Sequence, residues 1–149
     1  MKAIRTLLAT SLAAWLACAA HADINVGVIL PLTGPTSALG IASKNSIALW
    51  PTSIAGQKLN IIMMDDATDP TQASKDARRM VSEDHVDILL GSSSTPTANA
   101  VAAIAAESGT VQLTFAPIDV STAKSPWSYN LPQSTLVMSH ALVTHMKKN

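Results

Sequence analysis

VDILLGSSSTPTANAVAAIAAESGTVQLTF (86–115) decides the architecture. VDILL (86–90) is an apolar run of strand length, and GSSST (91–95) is a hydroxyl-rich turn. PTANAVAAIAAES (96–108) is an alanine-rich helix, with Thr95 as its cap and Gly109 as its stop. VQLTF (111–115) is a second β-type run. Strand, turn, helix and strand in about 30 residues make one βαβ unit.

Two further units precede it. INVGVIL (24–30) is a β-branched strand ended by Pro31, and PLTGPTSALG (31–40) has loop chemistry. A short helix is expected from Leu39 to Trp50, stopped by Pro51, and LNIIMM (59–64) is the second strand, running into Asp65 and Asp66. Asp69 is a good N-cap for the next helix, Pro70 suits its first position, and Gln72 stands where a capping box wants it. Ala73, Ala77, Met80 and Val81 form one apolar face, with Lys75, Arg78 and Arg79 mostly opposite. After a polar loop (116–126), WSYNL (127–131) is read as extended. QSTLVMSHALVTHMKK (133–148) is read as a final helix, whose Lys147 and Lys148 suit its C-terminus. The strands are continuous apolar runs, as in a parallel sheet covered on both faces. The fold class is therefore α/β, a doubly wound and mostly parallel sheet.

Composition narrows the function. Ten basic and ten acidic residues balance, and 13% charged residues leave no electrostatic footprint for nucleic acid. The 149 residues suit one domain with a modest core. The N-terminal MKAIRTLLATSLAAWLACAAHA (1–22) carries Lys2 and Arg5, an apolar stretch and Ala20-His21-Ala22, the pattern of a secretory signal peptide cleaved after Ala22. Its apolar run is short for a membrane span. Cys18 is the only cysteine, and Trp15-Leu16-Ala17 before it fits a lipoprotein signal poorly. The mature chain, starting at Asp23, then has no disulfide, thiol nucleophile or thiolate metal site.

The hydroxyl-rich turn admits three readings: a helix cap, a catalytic serine or a cradle for an anion. In a doubly wound sheet, ligands bind beyond the carboxyl ends of the strands where strand order reverses. In a flavodoxin-like order, PLTGPTSALG and GSSSTPTANA meet there, and the second enters a helix N-terminus that favours anions. Capping alone also explains Thr95 before Pro96, so both readings stay open. A nucleophile elbow needs a second glycine that Gly91-Ser92-Ser93-Ser94-Thr95 lacks. His85 precedes its strand, and His140 and His145, five apart, share no helical face as a metal pair would. Asp65, Asp66 and Asp69 invite a metal, yet Asp69 is accounted for as a cap, so no metal site is expected. No phosphate-binding glycine fingerprint follows the first strand, and no cofactor is expected.

INVGVILPLTGPTSALG, IIMMDDATDPTQASKDARRMV and VDILLGSSSTPTANAVAAIAAESGTVQLTFAP together resemble the periplasmic leucine/isoleucine/valine-binding protein family, the type I solute receptors of ABC importers. The resemblance lies in the order and spacing of the motifs over residues 24–117. It implies a two-lobed receptor, not an enzyme, monomeric at full length, that closes on a small carboxylate and presents it to a permease of the inner membrane. Residues 23–132 would be the N-terminal lobe, and 133–149 the start of the crossing to a second. By position, Ser94 and Thr95 would help hold the ligand carboxylate, Leu39 would pack on the ligand, and Ala116 would line the cleft through its backbone.

Three departures accompany the resemblance. Ile118 stands where amino-acid binders usually have a hydrogen-bonding threonine, which puts an α-amino acid in doubt and opens the way to aliphatic or aromatic acids. The segment from Trp50 to Leu59 is shorter than usual. The chain stops at Asn149, whereas two lobes of ordinary size need roughly twice that length. A truncated, non-binding product or a sensor module on the same lobe is the alternative; further off is a secreted hydrolase using Ser93 or Ser94.

Overall fold

The computed structural model describes residues 23–120 and 125–148; the signal peptide expected over 1–22, with Cys18, lies outside the described residues. Six strands are described: β1 (Ile24–Leu30), β2 (Ser53–Ile54), β3 (Gln57–Asp65), β4 (Ile88–Gly91), β5 (Val111–Thr114) and β6 (Ser128–Asn130). Four helices accompany them: α1 (Ser37–Ile47), α2 (Pro70–Ser82), α3 (Thr95–Ser108) and α4 (Thr135–Lys148). The sheet order is β2-β3-β1-β4-β5-β6. All pairings are parallel except β2 with β3. The chain steps from β1 to β3 in one direction, then returns past β1 to β4 and β5 in the other. Right-handed crossovers therefore put α1 on one face and α2 and α3 on the opposite one. The expected α/β, doubly wound class is what the chain adopts.

Packing follows that division. Along β1, Val26, Val28 and Leu30 point towards α1 and cluster with Ile47 and Leu90. Ile29 points the other way, joining Leu89 with Ala73, Ala77 and Met80 of α2 and Val101, Ile104 and Ala105 of α3. The predicted stripe of α2 is thus its buried face, and Gly109, with φ 70°, closes α3 as expected. Small alanines let α2 and α3 approach closely, and a bidentate Arg78–Glu107 pair at 2.9 and 3.0 Å joins them at the surface. Burial of a side chain such as Met80, Leu89 or Ile29 stabilises the fold by about 1.5–3 kcal/mol each.

Several boundaries differ from expectation. Helix α1 spans Ser37–Ile47 rather than 39–50. Beyond it, Leu49 and Trp50 donate to Ser46 and Ile47, the tighter i→i−3 pattern that ends a helix before Pro51. The segment 51–59 holds a strand the sequence pattern did not show: β2 turns back onto β3 through Ala55 and Gly56, both at positive φ. Paired positive φ values are the tight-hairpin geometry, and alanine is a poor signal for it. Asp69 does cap α2, accepting from the N–H groups of Thr71 and Gln72. The capping box does not close, because Gln72 donates to Asp76 one turn on. Thr95 is not the cap of α3: it is the first helical residue, Ser94 holds the cap position, and its hydroxyl bonds that of Thr97 instead of a backbone N–H.

Candidate functional site

The carboxyl ends of β1 and β4 lie side by side, at the point where strand order reverses. The loop after β1 is held there by Asp65 at the end of β3. Its Oδ1 accepts from the N–H groups of Leu32, Thr33 and Ala67, and its Oδ2 from the Thr33 hydroxyl. Burial alone would raise the Asp65 carboxyl, but these four hydrogen bonds outweigh it and hold it below the usual carboxylate range. Asp66 is fully buried and accepts from the Ser92 hydroxyl and the Thr68 N–H. Burial raises its pKa; those two bonds oppose the shift, and the charges of Asp65 and Asp69 add to it. The acidic pair is accordingly a staple between loops. Among the described residues no cluster of three metal-ligating side chains occurs.

The turn after β4 is built around Gly91, whose φ is +102°. A Cβ there would lie 2.0 Å from the carbonyl oxygen of Ile29, so only glycine fits. Gln112, in the middle of β5 and fully buried, fixes the turn from beneath. Its Nε2 donates to the carbonyls of Gly91 and Ala98, at 2.8 and 3.1 Å, and its Oε1 accepts from the Ser128 hydroxyl at 2.7 Å. One amide thereby ties the end of β4, the first turn of α3 and strand β6. In that first turn Pro96 has no N–H, so Thr95 and Thr97 carry the donors without an intrahelical acceptor.

Thr95 opens onto a depression of about 590 Å³ at the carboxyl edge, which it shares with Pro117, Ile118, Asp119, Asn130 and Ser134 among others. Ser134 precedes α4 and caps it, its hydroxyl accepting from the Val137 N–H. Two helix amino termini, those of α3 and α4, therefore meet at one concave surface. Each carries about half a positive charge and unpaired N–H groups, an arrangement that favours an anion. Asp119 places one negative charge on the rim.

The residues picked from the sequence divide. Thr95 and Ile118 line the depression, and Thr95 donates its hydroxyl to the Pro117 carbonyl at 3.3 Å. Ser94 adjoins them at the cap. Ile118 is nevertheless only 7% exposed and packs against Ala98, Ala102 and Ala116. Its N–H and carbonyl both bond the Asn130 amide. Ala116 is buried, and the Thr114 hydroxyl accepts from its N–H and donates to its carbonyl, so its backbone is not open to a ligand. Leu39 is 54% exposed on α1 and does not line the depression. Asn130, Asp119 and Ser134 were missed. A cap signal before the apolar run at 136 marked Ser134; nothing local marked the other two.

Among the described residues no histidine is placed beside Ser92, Ser93 or Ser94. Ser92 donates to Asp66, and the carbonyl of His85 bonds Asn25 at the opposite, amino-terminal edge of the sheet. His140 and His145 lie on α4, none of whose residues is buried.

A doubly wound lobe with its polar loops gathered at the carboxyl edge of the switch point places a ligand site where such sheets bind their ligands. The sequence profile of the family described as periplasmic binding protein matches residues 23–149, and the chain belongs to that family. A Leu/Ile/Val-binding protein of Rhizobium johnstonii is 36% identical over 119 residues, covering 74% of this chain and 32% of its own length. The crystal structure of an extracellular ligand-binding receptor from Rhodopseudomonas palustris superposes with a TM-score of 0.82 at 38% identity, over 85% of this chain and 36% of that one. A solute-binding protein of an ABC transporter from the same species, in complex with 3,4-dihydroxybenzoic acid, is 28% identical with a TM-score of 0.68, over 72% and 31% of the two chains. The chain spans about a third of the length of these relatives.

Proposed function

We propose that this chain forms a ligand-binding lobe of a periplasmic receptor for an ABC importer, holding a small carboxylate solute for delivery to a membrane permease. The observation that carries the reading is the meeting of the α3 and α4 amino termini at one depression, with Thr95 at its edge. A carboxylate seated there accepts from the Thr95 N–H at the start of α3, and the Thr95 hydroxyl turns from Pro117 to the ligand. A charge-assisted hydrogen bond contributes about 1.5–3 kcal/mol, so removing one weakens binding roughly tenfold or more. Branched-chain amino acids and organic acids, aromatic ones included, are the two ligand classes to compare. The named ligand of the Rhodopseudomonas palustris complex is of the second kind.

The test is a thermal-shift and calorimetry panel of small carboxylates on the purified chain. The expected result is saturable binding without turnover, weakened about tenfold by Thr95→Ala and abolished by Thr95→Asp, which puts a like charge at the seat. No response to any carboxylate, with the fold intact, would favour the sensor or non-binding alternative. Covalent labelling of Ser93 or Ser94 by a serine-directed phosphonate would replace the receptor by a hydrolase.

A further inference from the structure

The interior of the lobe is short of positive charge. Two carboxyl groups are buried, those of Asp66 and Asp76, while among the described residues no lysine, arginine or histidine is buried. Asp66 directly follows β3 at the carboxyl end of the sheet. Its carboxylate accepts from the Ser92 hydroxyl and the Thr68 N–H, both uncharged donors. Asp76, on α2, holds one oxygen against the Gln72 amide, and its Oδ2 has no partner. The charges that act on Asp66 have its own sign: Asp65 at the end of β3 and Asp69 before α2, with Asp76 beyond them on α2. Arg79 is the basic group that reaches this cluster. It acts on Asp76 from the exposed side of α2, where it also pairs with Glu83. The loop after β1 (31–36) and the turn after β4 (92–97) contain no titratable side chain. A carboxyl in such surroundings is more stable neutral than charged, so the counter-charge it lacks is a proton.

We propose that Asp66 makes solute binding proton-linked: when a carboxylate seats at the start of α3, the chain takes up a proton at Asp66. The inference rests on the receptor reading above and adds its regulation. Two observations connect the places. The Ser92 hydroxyl ties the Asp66 carboxylate to the turn that carries Ser94 and Thr95. Ser92 is itself fully buried and stands three residues before Thr95, so at most about 10 Å of chain, and no water-filled gap, separates it from the seat. Across that separation, with an effective dielectric of about 20, two like charges weaken binding roughly tenfold. Protonation of Asp66 removes the repulsion. Binding is therefore tightest where Asp66 is neutral and weakens as pH rises through its folded value, which burial sets above 3.8. Linkage is reciprocal, so bound ligand strengthens the hold on the proton by the same factor. Asp65, held below 3.8, stays charged across this window and adds no step of its own.

The test uses the whole chain, with 3,4-dihydroxybenzoate and leucine as probes. Without ligand, carbon-13 NMR of the carboxyl groups is expected to show two resonances titrating above 3.8, one missing from Asp66→Asn and the other from Asp76→Asn. Calorimetry in buffers of low and high ionisation enthalpy, from about pH 4.5 to 7.5, then counts the protons exchanged on binding. The wild type is expected to take up as much as one proton per ligand, most of it just above the Asp66 midpoint, with Kd weakening roughly tenfold across that midpoint. Asp66→Asn binds with no uptake and no such step. The wild-type uptake needs no variant, so it decides the matter if Asp66→Asn does not fold. Binding without uptake overturns the coupling and leaves the receptor reading standing. Uptake that survives Asp66→Asn, or that vanishes in Asp119→Asn instead, overturns it as well. An Asp66 resonance titrating below 3.8 does so with or without a ligand. No saturable binding of either probe, with the raised resonance in place, counts against the receptor reading itself and takes the coupling with it.

Discussion

Replacing Asp65 tests whether the ligand-edge loops are held by one carboxylate. Asp65 accepts at 2.8, 3.1 and 2.9 Å from the N–H groups of Leu32, Thr33 and Ala67, and at 2.7 Å from the Thr33 hydroxyl. Asp65→Ala removes all four at once. Water reaches most of these groups, and the Leu32 N–H also donates to the Leu30 carbonyl, so each loss approaches the net rather than the buried value. At roughly 0.5–1.5 kcal/mol per bond the cost is about 3 kcal/mol, a fall of roughly 10 °C in Tm. Asp65→Asn keeps an acceptor oxygen and can donate to Thr33, so it costs about 1 kcal/mol. Urea unfolding followed by circular dichroism and tryptophan fluorescence measures both. The carboxyl is held below its ordinary 3.8 when folded, so its contribution is present above that value and lost as pH falls through the folded one. The gap between wild type and Asp65→Ala should therefore close below pH 3.8. Equal losses for the two variants, or a gap unchanged in acid, would refute the staple.

Three other substitutions probe neighbouring features. Gln112→Leu removes buried bonds to the Gly91 and Ala98 carbonyls and to the Ser128 hydroxyl; a loss of about 2–4 kcal/mol is expected in urea melts, and a loss under about 1 kcal/mol would remove Gln112 from the turn's support. Gly40→Ala drives a Cβ to 2.1 Å from the Pro31 carbonyl oxygen, so α1 must move off the first loop at about 2–4 kcal/mol, and a neutral result would contradict the packing of that loop. Asp66→Asn keeps the shape and drops the charge. Burial raises the folded pKa of Asp66 above 3.8, so the wild type binds the extra proton when folded and loses stability as pH rises from there through the folded value. The variant lacks that slope, and the difference in urea midpoint should shift in its favour across the same window; movement the other way would mean that the charged form is the better bonded one.

Much of the fold is legible because its signals are local. The apolar runs at 24–30, 59–64 and 86–90, the Asp69-Pro70 start and the Gly109 stop each act within a turn or a strand, and each marks an observed element. Spacing and crossover hand leave several strand orders open; the switch point between the first and third apolar runs rests on a flavodoxin-like order, and that is the order the sheet adopts. Local signals erred where backbone conformation and residue type disagree, as at Ala55 in its tight turn, or where two hydroxyls stand next to each other, as at the cap of α3.

The site was less legible. Ser94 and Thr95 stand out in the sequence because the hydroxyl-rich helix start announces itself, whereas Ile118 was reached only through the resemblance. Which way Ala116, Ile118 and Leu39 face was not legible in the sequence; it follows from the bonds of Thr114 and Asn130 and from the lie of α1. By itself the sequence determined the layers and the hydroxyl-rich helix start that a flavodoxin-like order would put at the switch point. Only the tertiary structure decided that Gln112 supports the turn, that Asp65 and Asp66 staple neighbouring loops, and that Asn130 and Ser134 share a surface with Thr95. The groups brought together from different elements are 14 to 39 residues apart along the chain, and nothing but the folding of the sheet brings their polar atoms to within bonding distance or onto one surface.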